Sequence, residues 1–249
     1  MSRGRLEICC GDFSSVVTAI AGGADRVELC SGLDAGGLTP SAGFIEAAVA
    51  ERGKAAVHVL IRPREGDFLY SAKEIEIMES DIAAARAAGA QGVVIGALNS
   101  DGSVDTATCR RLINAAGGLS VTFHRAFDMT SDPARALEEI IALGCDRILT
   151  SGCAPTAAEG AEMLRRLNET AAGRIIILGG CGVVPTNAAA IIASTGLTEL
   201  HASARSSVES LMTFRNSNVA MGAAGSDEFS RKSTDISKVR LLAETLHKI

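Results

Sequence analysis

Gly23-Ala24-Asp25-Arg26-Val27-Glu28-Leu29-Cys30 decides how this chain is read: a glycine, a short polar step, then an apolar run ending in a thiol. The glycine-led step returns as Gly89-Ala90-Gln91-Gly92-Val93, Gly144-Cys145-Asp146-Arg147-Ile148 and Gly196-Leu197-Thr198-Glu199-Leu200. Each glycine stands where a helix must stop, and glycine alone takes left-handed backbone there without a steric cost. The runs that follow are the second, fourth, sixth and eighth of eight, at residues 6–9, 27–30, 57–61, 93–97, 120–123, 148–151, 175–178 and 200–203. Every run closes in polar and glycine residues and gives way to a stretch of helical periodicity. Eight such units in 249 residues match an α/β fold, a (β/α)8 TIM barrel forming a single domain over 1–249. The recurrence on even-numbered strands points to a repeating unit of two strands and two helices.

The helices are legible from their faces and caps. Ile75, Met78, Ile82 and Ala85 share one side of a helix between strands three and four. Asp132-Pro133 opens another, as cap and first helical residue, with Leu137, Ile140 and Ile141 as its buried face. Thr39-Pro40 and Val184-Pro185 read as similar starts, and Ile236, Val239, Ala243 and Leu246 define a closing helix after Ser233-Thr234-Asp235. Two connections are long: the glycine-rich 31–38, after strand two, and the strand-8 to helix-8 loop over about 206–234. The second carries Phe214, Arg215, Asn216 and Asn218, chemistry that suits an ordered lid or an interface better than a linker.

Composition narrows the function classes. A formal charge of −5 with no basic run argues against nucleic acid and against an anionic membrane surface. The apolar runs are too short to span a bilayer, and Met1 to Arg5 leads into the first strand without an apolar targeting segment. Seven scattered cysteines, an odd number, suggest free thiols in a reducing cytoplasm. The expectation is a soluble cytoplasmic protein.

Alternation along each strand separates the helix layer from the barrel interior. Leu6, Ile8 and Cys10 should face the helices, which turns Glu7 and Cys9 inward. The same reading places Glu28, Cys30, His58, Leu60, Arg62, Thr122, His124, His201, Ser203 and Arg205 inside. Burying charges this way requires pairing or a ligand, and most of these residues fall where such barrels carry their chemistry. Cys9 and Cys30 occupy matching positions on adjacent strands, which run about 4.8 Å apart, so their sulfurs could share one ion or simply fill space. Soft thiolates favour monovalent copper or zinc. Glu7 and Glu28 could share a proton, raising one of them and giving an acid and a base. Cys109, Cys145, Cys153 and Cys181 read as core or loop thiols, His58 as a bonded core residue and His247 as solvated. None of the five lysines falls in a barrel strand, which argues against Schiff-base chemistry. Gly179-Gly180-Cys181-Gly182 after strand seven, with Ser203-Ala204-Arg205 after strand eight, offers backbone and guanidinium donors to an anion.

Longer blocks carry a resemblance. Glu28-Leu29-Cys30-Ser31-Gly32-Leu33, Gly36-Gly37-Leu38-Thr39-Pro40-Ser41 and Ile61-Arg62-Pro63-Arg64 with Gly66-Asp67-Phe68-Leu69-Tyr70 are three of them. Thr122-Phe123-His124-Arg125-Ala126-Phe127-Asp128, Leu149-Thr150-Ser151-Gly152, His201-Ala202-Ser203-Ala204-Arg205 and Phe214-Arg215-Asn216 through Met221-Gly222 complete the set. Together they resemble the CutC copper homeostasis family, from the first strand to the closing helix. The resemblance implies a cytosolic barrel that assembles as a homo-oligomer, a dimer or tetramer. It also implies copper, Cu(I), bound by cysteines that map onto Cys9 and Cys30. Cys10 and Cys181 stand where other small residues are expected, so the chain carries extra thiols.

Three readings follow. The first is a copper-binding homeostasis protein with Cys9 and Cys30 as ligands. The second is a barrel enzyme acting on a small phosphorylated or carboxylated metabolite. There Glu7 or Glu28 is the base, His124 the acid or electrophile, Arg62 and Arg205 the anion clamps, and Gly180, Gly182 and Ser203 further donors. The third is an oligomeric interaction protein whose 206–234 segment is the interface.

Overall fold

Each of the eight apolar runs becomes a strand, with ends displaced by at most two residues: β1 (Arg5–Cys10), β2 (Arg26–Leu29), β3 (Ala56–Leu60), β4 (Gly92–Ile95), β5 (Ser120–Phe123), β6 (Arg147–Thr150), β7 (Ile176–Gly179) and β8 (Glu199–Ala202). The computed structural model, which describes residues 3–216, 218–219 and 227–249, closes them in that order into a parallel barrel, β8 returning to β1. Eight helices form the outer shell: α1 (Phe13–Ala21), α2 (Ala42–Glu51), α3 (Ala72–Ala87), α4 (Thr106–Ala116), α5 (Pro133–Leu143), α6 (Ala161–Ala171), α7 (Ala188–Thr195) and α8 (Ile236–Leu246).

The reason is the alternation of side chains. Leu6, Ile8, Val27, Leu29, Val57, Val59, Ile95 and Phe123 point outward and are sealed beneath the helices. Ile75, Met78, Ile82 and Ala85 are the buried residues of α3, as their spacing requires. Asp132 caps α5 by accepting from the Ala134 and Arg135 amides, with Pro133 in the first turn. The four helix-stopping glycines, Gly23, Gly89, Gly144 and Gly196, have φ between 68° and 97°, a backbone that other residues resist.

Several expectations shift. Ser41, not Thr39, caps α2, and α7 starts after Asn187, because each proline sits before its helix and not in its first turn. Ile141 and Ile236 are half-buried, and Leu242 completes the inner face of α8. His247 is not left to solvent: its Nε2 lies 3.0 Å from an Asp25 carboxylate oxygen. Nor is the stretch after β8 a bare loop. It is the stem of an antiparallel hairpin, β9 (Arg205–Glu209) and β10 (Ser230–Thr234), fastened to α1 where the Thr234 amide donates to Ser15 Oγ at 3.1 Å. Phe214, Arg215, Asn216 and Asn218 are exposed between these strands, while Met221 and Gly222 lie outside the described residues.

The amino-terminal half of the barrel is filled by ion pairs. Arg26 is paired with Glu7 through Nε and with Glu199 through a terminal nitrogen, 2.7 Å from Oε2. Arg147 reaches the same Glu199 oxygen at 3.1 Å and donates to Ser120 Oγ at 2.8 Å. Among the described residues no helix is long and apolar enough to cross a membrane.

Candidate functional site

The carboxyl ends of the strands enclose a cavity of about 320 Å³ above that layer, and it has two unlike walls. On one side the parallel register sets Cys9 beside Glu28, and Cys30 one step further along the same face. Cys9 Sγ and Cys30 Sγ are 3.5 Å apart, and Cys30 Sγ is 3.3 Å from Glu28 Oε2. One ligand atom from each of the three falls within 4.8 Å of the others, and all three residues are buried. His201 closes this wall from β8, with Nδ1 2.7 Å from Glu7 Oε1 and Nε2 3.8 Å from Glu28 Oε2.

The electrostatics of this wall follow from who is paired. Burial alone would raise Glu7, but Arg26 and His201 outweigh it and hold its carboxyl well below the usual range. For a cation Glu28 has only the His201 ring near it, at 3.8 Å, and burial outweighs that attraction to push it up to about 8. The Cys30 hydrogen bond brings Cys9 down to about 5 against the cost of burial, helped by His201. Cys30 moves well above its ordinary value, because it is hydrogen-bonded to that sulfur and buried beside it. Burial opposes a charge on His201, yet Cys9, Glu7 and Glu28 together raise it well above the ordinary histidine value. These shifts favour a thiolate on Cys9 and an imidazolium on His201, and they favour keeping the protons of Cys30 and Glu28. Glu7 and Glu28 do separate into an ionised and a protonated carboxyl, but through Arg26 and burial rather than a shared proton.

The opposite wall is built by β3, β5 and the segment between β3 and α3. Arg62 spends one terminal nitrogen on the Ala35 and Gly37 carbonyls, both at 2.9 Å, and the other on the Gly66 carbonyl at 2.7 Å. Its Nε has no partner, and no carboxylate is paired with it among the described residues. His124 accepts the Ala126 amide at Nδ1, and burial holds its basicity down to about 3, so the ring is neutral and carries its proton on Nε2. That Nε2 is also without a partner. A buried donor left this way costs about 1–3 kcal/mol. Gly96 makes the placement possible, since a Cβ there would lie 2.5 Å from the His124 ring. Phe68 covers both groups, its ring centred 5.0 Å from the His124 ring and 5.2 Å from the Arg62 guanidinium carbon.

Of the residues expected from sequence, Cys9, Glu28, Cys30, Arg62 and His124 meet at this cavity. Glu7 lies beneath it. Gly180, Gly182, Ser203 and Arg205 are not among its lining residues. The Gly180 amide is already spent on the Thr150 carbonyl at 3.0 Å, Gly182 sits in a left-handed turn against Thr156, and Arg205 opens the hairpin. Arg26, Arg147 and Glu199 escaped the sequence reading because they stand in the lead-in before each apolar run. The signal was present, since Asp25-Arg26 and Asp146-Arg147 occupy the same place in the repeat.

Fold and site together define a TIM barrel with a thiol–carboxyl cluster and a set of unsatisfied donors at the carboxyl ends of its strands. The model of the CutC family matches residues 4–206. The chain is 50% identical over 238 residues to a human protein named copper homeostasis protein cutC homolog, covering 95% of this chain and 87% of that one. A Chromobacterium violaceum relative, described as a family protein CutC, is 50% identical over 243 residues, 98% of each chain. The solved CutC structure from Streptococcus agalactiae superposes with a TM-score of 0.77 at 35% identity, covering 80% of this chain and 98% of that one. This chain belongs to the CutC family.

Proposed function

We propose that this protein handles copper, holding Cu(I) between Cys9 and Cys30 at the barrel mouth. The observation that carries the reading is the pair of sulfurs 3.5 Å apart on neighbouring strands. Sulfur donors suit a soft monovalent ion, and the residues present fit one. Cys9 offers a thiolate at once. Cys30 resists ionising chiefly because Cys9 is beside it, and a cation between them turns that repulsion into attraction to both. Two thiolates, one Cu(I) and the His201 imidazolium sum to no net charge, which a buried site tolerates. The reading extends to a cytoplasmic homo-oligomer, a dimer or tetramer, with neither nucleic acid nor membrane as partner. The name carried by the human relative agrees with it. The test is an anaerobic competition titration against a Cu(I) chelator. The Cys9→Ser, Cys30→Ser double variant should bind at least about 100-fold more weakly than the wild type, and equal affinity would end the proposal.

A second reading, turnover of a small phosphorylated or carboxylated metabolite, is favoured by the bare donors on the Arg62 wall. Glu28, poised at about 8, then exchanges protons near neutrality. His124 donates from Nε2 and Arg62 supplies positive charge. Gly182, Ser203 and Arg205 offer a second place for an anion beyond β7 and β8. Glu7, locked to Arg26, orients His201 instead of meeting substrate. A panel of phosphorylated and carboxylated metabolites tests this reading by thermal shift and by product analysis; no shift and no product rejects it.

A further inference from the structure

We infer that Arg62 and His124 form the anchor for the carboxylate of a small organic acid, with the Phe68 ring as its cover. The inference deepens the second reading and rests on it for the existence of an anionic ligand. It differs from the β7–β8 loops in both place and chemistry.

Charge is the first argument. Arg62 is 7% exposed and its neighbours are carbonyl oxygens, which accept its hydrogen bonds but bring no negative charge. A buried guanidinium of this kind calls for an anion. Donor geometry is the second argument. Of the buried polar atoms left bare among the described residues, the two on residues lining this cavity are the Arg62 Nε and the His124 Nε2, on strand ends separated only by β4, and one aromatic ring lies over both side chains. Two N–H donors match the two oxygens of a carboxylate.

The shape and polarity of the rest of the cavity are the third. Beside these donors it is lined by Leu33, Leu60, Met129 and Leu149, and the other guanidinium there, Arg125, is already paired with Asp128 and bonded to Ser151. An apolar body of a few carbons fits such walls, whereas a phosphate would leave further oxygens without donors. Phe68 is held by its backbone, since its carbonyl accepts the Leu98 amide at 2.9 Å. The far end of an acid seated here points toward the Cys9 and Cys30 sulfurs on the other wall.

The experiment is isothermal titration of the reduced, metal-free protein with isovalerate and, separately, with inorganic phosphate. Isovalerate should bind with a Kd below about 10 mM and phosphate should not. Arg62 also ties three loop carbonyls, so Arg62→Met is accepted only if its circular dichroism and melting match the wild type. His124→Phe keeps the ring and removes the donor, and it carries the test: isovalerate affinity should fall at least about tenfold. Undiminished binding by His124→Phe overturns the anchor and leaves the second reading standing. So does binding that is lost in Arg205→Met instead, which moves the anion to the β7–β8 loops. Phosphate bound in place of isovalerate overturns the carboxylate assignment. Absence of binding by either probe overturns the anchor, and the metabolite panel then decides the second reading separately.

Discussion

At the amino-terminal end of the barrel, Glu7 and Glu199 are buried against Arg26 and Arg147, and the four side chains satisfy one another. At the carboxyl end the same barrel buries Arg62 without an acid and His124 without an acceptor for its Nε2 proton, among the described residues, and leaves Glu28 with only the more distant His201 ring for a cation. Both layers are polar and both are nearly inaccessible to water. The difference lies in whether the protein supplies the partners. Where it does, buried charge is architecture. Where it does not, the folded state carries an unmet demand for protons, metal or ligand, and binding is how that demand is met.

The sharpest way to break this contrast is to unpair the closed layer. Glu199→Ala removes the acceptor shared by two arginines and should cost about 3–5 kcal/mol in urea unfolding, the usual penalty for orphaning buried charge. A loss under about 1 kcal/mol would mean the layer is wetter or looser than its distances imply. At the mouth the effects should fall on binding. Cys30→Ser should weaken Cu(I) by about 100-fold, measured by chelator competition, while unfolding free energy changes by less than about 1 kcal/mol.

Glu28→Gln should go the other way and stabilise. Burial raises the folded-state value of this carboxyl from its ordinary 4.5 to about 8. Folding therefore takes up a proton between those limits, and the cost of the carboxyl grows as pH rises through that window. Glutamine removes the cost, so Tm should rise at pH 8, by about 2–4 °C for each kcal/mol relieved in a chain of this size, and stay unchanged at pH 4. A Tm difference that does not vary with pH would reject the assignment. The smallest effect belongs to the outer rim. Burial alone would raise Asp25, but the Leu6 amide, His247 and Arg3 hold its carboxyl below the ordinary aspartate value. Its contribution is present above pH 4 and fades as pH falls through the lowered value. Asp25→Asn should cost no more than about 1 kcal/mol at pH 7 and nothing in acid, by melting at both pH values.

The barrel was readable because its logic is local. Glycine stops, apolar runs and helical spacing each act within a few residues, and together they placed all eight strands. Alternation was enough to turn Glu7, Cys9, Glu28, Cys30, Arg62 and His124 inward. Roles within the interior were harder to read, because they depend on partners far apart in sequence. Nothing near Arg62 announces that the carbonyls of Ala35, Gly37 and Gly66 will consume its terminal nitrogens. Glu7 and Glu28 look equivalent in the chain, and the Arg26 and His201 contacts of Glu7 make them differ. Phe68 could be seen as part of a motif, yet its place over two donors is set by the Leu98 amide, thirty residues on.

Asp25 is met from both directions along the chain, by Arg3 and by His247, and Gly4 packs against Leu246 and Ile249. Residues 3–4 and 246–249 are thus neighbours on the face of the barrel remote from the site. A short splice between them would join the first and last segments without touching the cavity. For anyone fusing a reporter or immobilising this barrel, that rim is the handle least coupled to what happens at the mouth.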